Sequence, residues 1–170
     1  MRWSDFGTLE PMGVDTGKMR TVLVVDDDAS VRAMLGYLLH DEGYDVREAA
    51  DGAEAIEELT VEPPDAMVLD LMMPNVDGLS VLRVRRERGI APDTRILILT
   101  AKTDTRDAVW CWELGADEYL NKPVDPEMLA REMKVLLGRS TAELVRRREV
   151  GLAEASERDR LEAAFQPKRS

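Results

Sequence analysis

Four places in this sequence carry residues able to hold and transfer a charged group. Asp26, Asp27 and Asp28 close a short apolar run, Asp70 closes another, Thr100 closes a third, and Lys122 follows a short Glu-Tyr-Leu-Asn segment. Carboxylates gathered from two such runs repel one another, and a hard divalent cation relieves the repulsion. All-oxygen ligation favours Mg²⁺ or Mn²⁺, and Mg²⁺ keeps several waters while taking only one or two protein carboxylates. An ion with open positions can receive a phosphate oxygen. The Lys122 ammonium and the Thr100 hydroxyl would complete the cage around its charge. A carboxylate placed there can act as a nucleophile and become an aspartyl phosphate. Phosphoryl transfer asks the protein mainly to position and to neutralise.

These residues are spread over about a hundred positions, so the elements between them must bring them together. Thr21–Val25, Ala66–Leu69 and Arg95–Leu99 are short apolar runs suited to strands buried on both faces. Tyr44–Glu48 and Glu118–Asn121 read as two further strands. Helical patterns lie between them. Val31, Leu35, Leu38 and Leu39 share one face before Gly43; Ala55, Ile56 and Leu59 share another before Pro63 and Pro64. A Pro-Asn-Val-Asp-Gly turn at 74–78 leads into a helix with Leu79 and Leu82, a fourth spans Asp104–Leu114, and Asp125 caps a fifth carrying Met128, Leu129, Met133, Leu136 and Leu137. Strict strand–helix alternation predicts an α/β fold, a doubly wound five-stranded parallel sheet with five helices on its faces. Ligands then bind outside the carboxyl ends of the strands, where every polar residue named above falls.

Val24-Val25-Asp26-Asp27-Asp28, Leu69-Asp70-Leu71-Met72-Met73-Pro74 with Asp77-Gly78, Leu99-Thr100-Ala101, and Lys122-Pro123 together resemble the signature set of bacterial response-regulator receiver domains. The resemblance covers roughly residues 20–138, and its motifs fall in the right order on the right strand ends. It implies strand order 2-1-3-4-5, the order of the doubly wound sheet already known for this fold. It implies that Asp70 is the phosphoacceptor, that Asp26 and Asp27 are the acidic pair, with Asp27 the direct Mg²⁺ ligand, and that Met72 offers its backbone carbonyl to the metal. Thr100 resembles the switch hydroxyl, Tyr119 the aromatic switch, and Lys122 the phosphate-binding lysine. The partners it implies are a sensor histidine kinase or histidine phosphotransfer protein and a downstream protein target. Output would pass through the fourth helix, fifth strand and fifth helix. Two residues beside the site, Met72 and Lys102, are expected to tune the phosphate lifetime by governing water access. Trp110 on the fourth helix, with Leu137 and Leu144, is expected to support an interface, possible homodimers included.

The net charge is −11 and uneven. From Arg139 onward the chain holds eight basic and six acidic residues, leaving −13 on residues 1–138. So acidic a body argues against direct nucleic-acid binding. With one cysteine, Cys111, and no apolar run of about 18 residues, the reading is a cytoplasmic protein without a membrane span. The expected organisation is a disordered leader at 1–20, the receiver at 21–138 and a charged helical extension at 139–170. That extension is expected to fray past Gly151, with Arg146-Arg147-Arg148 as a solvated face. Asp28 is expected to cap the first helix, Asp77 the third, and His40 to sit solvated at a helix end. Alternatives are a receiver fragment of a larger regulator with a DNA-binding or enzymatic output domain, a pseudo-receiver that only binds partners, and a phosphate-ester hydrolase.

Overall fold

The computed structural model describes residues 18–101 and 104–165. The expected disorder of the leader therefore falls, for residues 1–17, outside the described residues, as does Lys102. Eleven elements follow one another: β1 Thr21–Val25, α1 Ala29–Asp41, β2 Asp45–Ala49, α2 Gly52–Val61, β3 Ala66–Leu69, α3 Gly78–Arg88, β4 Arg95–Thr100, α4 Thr105–Glu113, β5 Glu118–Asn121, α5 Pro126–Gly138 and α6 Thr141–Phe165. The sheet is wholly parallel in the order β2-β1-β3-β4-β5. Alternate strand residues feed two apolar layers. Leu23, Val25, Met67, Leu69, Ile96 and Ile98 pack towards α2, α3 and α4, while Val22, Val24, Val68, Leu97 and Leu99 pack towards α1 and α5. Burial on both faces is why the central strands carry continuous apolar runs rather than alternation.

The helix starts follow their caps. Asp28 accepts from the Ser30 and Val31 amides at 2.8 and 3.2 Å, Asp51 from Glu54, Asp77 from Ser80, Asp104 from Arg106, and Asp125 from Glu127. Each satisfies an amide that the helix cannot.

The carboxyl-terminal part departs most from expectation. Instead of prolonging α5 and fraying, the chain leaves α5 at Arg139, in extended geometry, and starts a new helix. Ser140 and Glu143 form a reciprocal cap, with Glu143 Oε2 accepting from the Ser140 amide at 2.7 Å. Arg20 and Arg95 donate to the last carbonyls of α5, at Leu137 and Leu136, which fixes the corner. From there α6 runs without a break through Gly151 and lies along α4 and β5. Leu137 and Leu144, expected as interface residues, are buried in the second apolar layer (6% and 8% exposed) and belong to the core. Arg147 and Arg148 are likewise not a solvated face. Arg147 Nε donates to Glu118 at 3.0 Å with its guanidinium 4.8 Å over the Trp112 ring, and Arg148 donates to Asp117 at 2.8 Å. Two acids buried at the foot of β5 require such partners.

Candidate functional site

The carboxyl ends of β1, β3, β4 and β5 place the predicted chemistry on one edge. β1 pairs with β3 through Val25 and Leu69, so Asp26 and Asp70 leave adjacent strands side by side. Thr100 ends β4, two positions beyond the partner of Leu69, and pairs in turn with Asn121, which precedes Lys122. Carboxylate oxygens of Asp26, Asp27 and Asp70 lie within 4.8 Å of one another. Asp26 and Asp70 are buried and Asp27 is exposed, so the cluster opens to solvent through Asp27.

Lys122 Nζ donates to Asp26 Oδ2 at 2.5 Å and to Asp70 Oδ2 at 3.4 Å. Burial works to lower the pKa of this ammonium, but the Asp26 hydrogen bond and the charge of Asp70 outweigh it, so the net shift is upward. Lys122 is therefore a fixed positive charge across physiological pH. Asp70 is held twice more: its amide donates to Val25 at 3.0 Å, and its Oδ1 accepts from the Met72 amide at 3.2 Å. Asp26 Oδ1 accepts from the Asp28 amide at 2.9 Å. Asp28 points its own carboxylate at the α1 amides, which separates the cap from the acidic pair.

One ammonium against three carboxylates leaves the edge negative, and every donor is oxygen. This set fits Mg²⁺ or Mn²⁺.

One support escaped the sequence reading. Arg32 Nη1 donates to the Asp26 carbonyl at 2.7 Å while its Nε reaches Glu48, pinning the loop after β1 from α1. Nothing in the local pattern marks a long-range contact of this kind. Gly78 is needed for close approach, since a Cβ there would overlap the Asp70 carbonyl and Leu71.

Thr100 is wholly buried, and its carbonyl accepts from the Lys122 amide at 2.9 Å. The peptide bond between Lys122 and Pro123 is cis. Met72 stands exposed at the rim. Tyr119 is half-buried, and its pKa is pushed up to about 12 by burial first and then by Cys111, Asp107 and Asp104 of the α4 region. Trp110 is half-exposed on α4 and Trp112 is buried beneath α6.

A family model described as "Response regulator receiver domain" matches residues 22–134. The chain belongs to the response-regulator receiver family. Members of this family are signalling switches of two-component systems rather than enzymes in general; they are phosphorylated, bind Mg²⁺ and interact with histidine kinases. This receiver is 43% identical over 122 residues to the alkaline phosphatase synthesis transcriptional regulatory protein PhoP of Bacillus subtilis, covering 71% of this chain and 50% of that protein. It is 42% identical over 130 residues to the DNA-binding response regulator MtrA of Mycobacterium tuberculosis, covering 76% and 55%. Among solved structures, a putative response regulator from Chloroflexus aurantiacus superposes with TM-score 0.65 at 39% identity, over 72% of this receiver and all of that chain. The receiver thus spans about half the length of the curated relatives it matches. Among the described residues, no helix is long and apolar enough to cross a membrane.

Proposed function

We propose that Asp70 accepts a phosphoryl group from a phosphohistidine on a sensor kinase or phosphotransfer protein, or from a small phosphodonor. The observation that carries this is the convergence of Asp26, Asp27 and Asp70 within 4.8 Å, with Lys122 reaching Asp70 at 3.4 Å. Asp70 Oδ2 faces the lysine while Oδ1 is held by the Met72 amide, so the carboxylate is oriented before any donor arrives. An oxygen of Asp70 attacks phosphorus, the bond from phosphorus to the donor nitrogen breaks, and the imidazole leaves with the electron pair. Lys122 exchanges a carboxylate partner for a phosphoryl oxygen, and the Thr100 hydroxyl supplies a further donor. Asp26, Asp27, Asp70 and the Met72 carbonyl would hold Mg²⁺, which supplies charge neutralisation for the transferring group. Turnover is confined to slow hydrolysis of the protein's own phosphoaspartate. Thr100 and Tyr119 carry the change to the surface that faces kinase and target.

The test is Mg²⁺-dependent labelling by a small phosphodonor, giving an acyl phosphate that hydroxylamine cleaves. A chain that takes no label in Mg²⁺ contradicts the assignment. The single cysteine and the acidic body suit a cytoplasmic protein that works through protein contacts rather than nucleic acid. The greater length of the curated relatives favours a second reading, a receiver serving a larger regulator with a DNA-binding or enzymatic output domain. The mass of the protein isolated from its source decides between them.

Asp27 and Asp28 are expected to separate metal binding from stability. Asp27→Ala should weaken Mg²⁺ binding by roughly tenfold or more, since even supporting residues around a metal are worth that much. Asp28→Ala should leave Mg²⁺ affinity unchanged and cost about 0.5–2 kcal/mol through the lost α1 cap. Mg²⁺ titration beside thermal melting checks both, and equal losses of affinity would contradict the division.

Met72 and Lys102 are expected to set the lifetime of the phosphorylated state. Hydrolysis needs an in-line water at the open rim, where Met72 is exposed and has no hydrogen bond with which to orient one. A lysine can cover or pair with the phosphoryl group. Met72→Asn combined with Lys102→Glu should shorten the lifetime several-fold. An unchanged or longer decay, followed by loss of label, would count against water access as the control.

A further inference from the structure

The two halves of α6 are held by different means. Its first half is sealed to the body. Leu144 enters the core, Arg147 and Arg148 reach the buried Glu118 and Asp117, Gly151 lies directly on the Trp112 ring, and Ala155 is buried. Beyond Ala155 no residue of α6 is buried. Instead, the Thr105 hydroxyl shares its one hydrogen between Asp159 Oδ1 at 2.8 Å and Glu162 Oε2 at 3.1 Å, with Arg106 3.9 Å from Asp159. Between α6 and the α4–β5 face lies an open cavity of about 750 Å³, walled by Thr105, Tyr119, Asn121, Arg147, Gly151 and Leu161 among others, so that it runs on under the distal half.

The distal half therefore stands over an incompletely filled space, and a ten-residue helix has little stability of its own. Its seat depends on α4 and β5 through residues that connect to the phosphoacceptor edge. Thr105 opens α4, five positions after Thr100, and Tyr119 lines the cavity. A shift of the Tyr119 ring or of the start of α4 changes both the volume beneath the helix and the position of the hydroxyl that holds it.

We propose that the distal half of α6, residues 156–165, is a cis-acting latch over the α4–β5 face, closed by Thr105 on Asp159 and Glu162 and released when Asp70 is phosphorylated. This rests on Asp70 being the phosphoacceptor. The occupant of the face at rest is the chain's own helix, so any partner that docks there competes with it. Release uncovers Tyr119 and the hydroxyl of Thr105 together, whereas the first half stays anchored and keeps the latch at high local concentration.

Amide hydrogen exchange of the full chain tests this in three states: metal-free, with Mg²⁺, and with Mg²⁺ plus beryllofluoride as the phosphate mimic. Exchange in 156–165 is expected to rise about five- to tenfold with beryllofluoride, the scale of one lost hydrogen bond, while 141–150 and the sheet keep their protection. Thr105→Val, which leaves the acidic site intact, should produce the same rise without the mimic. Slowed exchange around 70–78 reports that the mimic has bound. If it binds and 156–165 is unaltered, the latch is refuted and the phosphoacceptor assignment stands. If no change is seen around 70–78, that assignment fails and the latch fails with it. Unaltered distal exchange in Thr105→Val also overturns the proposal, because the named contact is then not what closes the helix.

Discussion

Asp70→Asn is expected to abolish labelling by a small phosphodonor in Mg²⁺, to background and at every donor concentration. The side chain keeps its size and loses its anionic oxygen, so the nucleophile is removed while the fold is left alone. The geometry sharpens the expectation. Asp70 is buried, its amide is bound to β1, and its Oδ1 is fixed by the Met72 amide. Asp26 is committed to Lys122 at 2.5 Å and to the Asp28 amide, which makes it a poor substitute nucleophile. Asp27 is exposed, in the bend that follows β1. Removing one of three carboxylates facing a single ammonium also relieves repulsion, so the metal-free variant should melt no lower than the parent. Undiminished label on Asp70→Asn would move the phosphoacceptor elsewhere, and a much lower melting temperature would point to a structural role.

The second large effect is expected at Gly151, far from the acidic edge. At an exposed mid-helix position, replacing Gly by Leu stabilises by up to about 1 kcal/mol, because glycine is the worse helix former. Here the sign should reverse. A Cβ at position 151 would overlap the Trp112 ring, and that ring is held between α6 and the body with Arg147 stacked on its face. Gly151→Leu should lift α6 away and cost about 1–3 kcal/mol, the range for overpacking a filled site. Trp112 emission should shift to the red as the ring meets water. Melting temperature and fluorescence check it together. A stabilised variant with unchanged emission would mean that α6 does not rest on α4 through this contact.

Both expectations depend on residues whose meaning was unequally visible in the chain. The acidic edge was legible because strand ends are marked locally. An apolar run stops, a carboxylate, hydroxyl or ammonium follows, and a parallel sheet carries all such ends to one side. The helix caps were equally legible, since Asp28, Asp77 and Asp125 bond to amides two or three residues away. Arg32 was not legible, because its bond to the Asp26 carbonyl depends on how α1 lies across β1 rather than on spacing.

The carboxyl-terminal helix shows the same division more sharply. It was expected to be a charged helical extension, with Leu137 and Leu144 supporting an interface. In the chain, Gly151 read as an interruption and Arg146-Arg147-Arg148 as a solvated face. Packing reverses these meanings. Glycine is what allows α6 to approach Trp112, Arg147 and Arg148 meet the buried Glu118 and Asp117, and the two leucines complete the core.

The sequence by itself determined the alternation of elements, the parallel sheet, the edge on which chemistry gathers and the identity of the charged groups there. These follow from periodicity and from residue types next to one another in the chain, whose physics is short-range. Only the tertiary structure decided which carboxylate Lys122 grips, which loop Arg32 pins and what α6 covers. Those depend on contacts between residues tens of positions apart, where burial rather than propensity decides whether an arginine faces water or a carboxylate, and whether a glycine ends a helix or seats it.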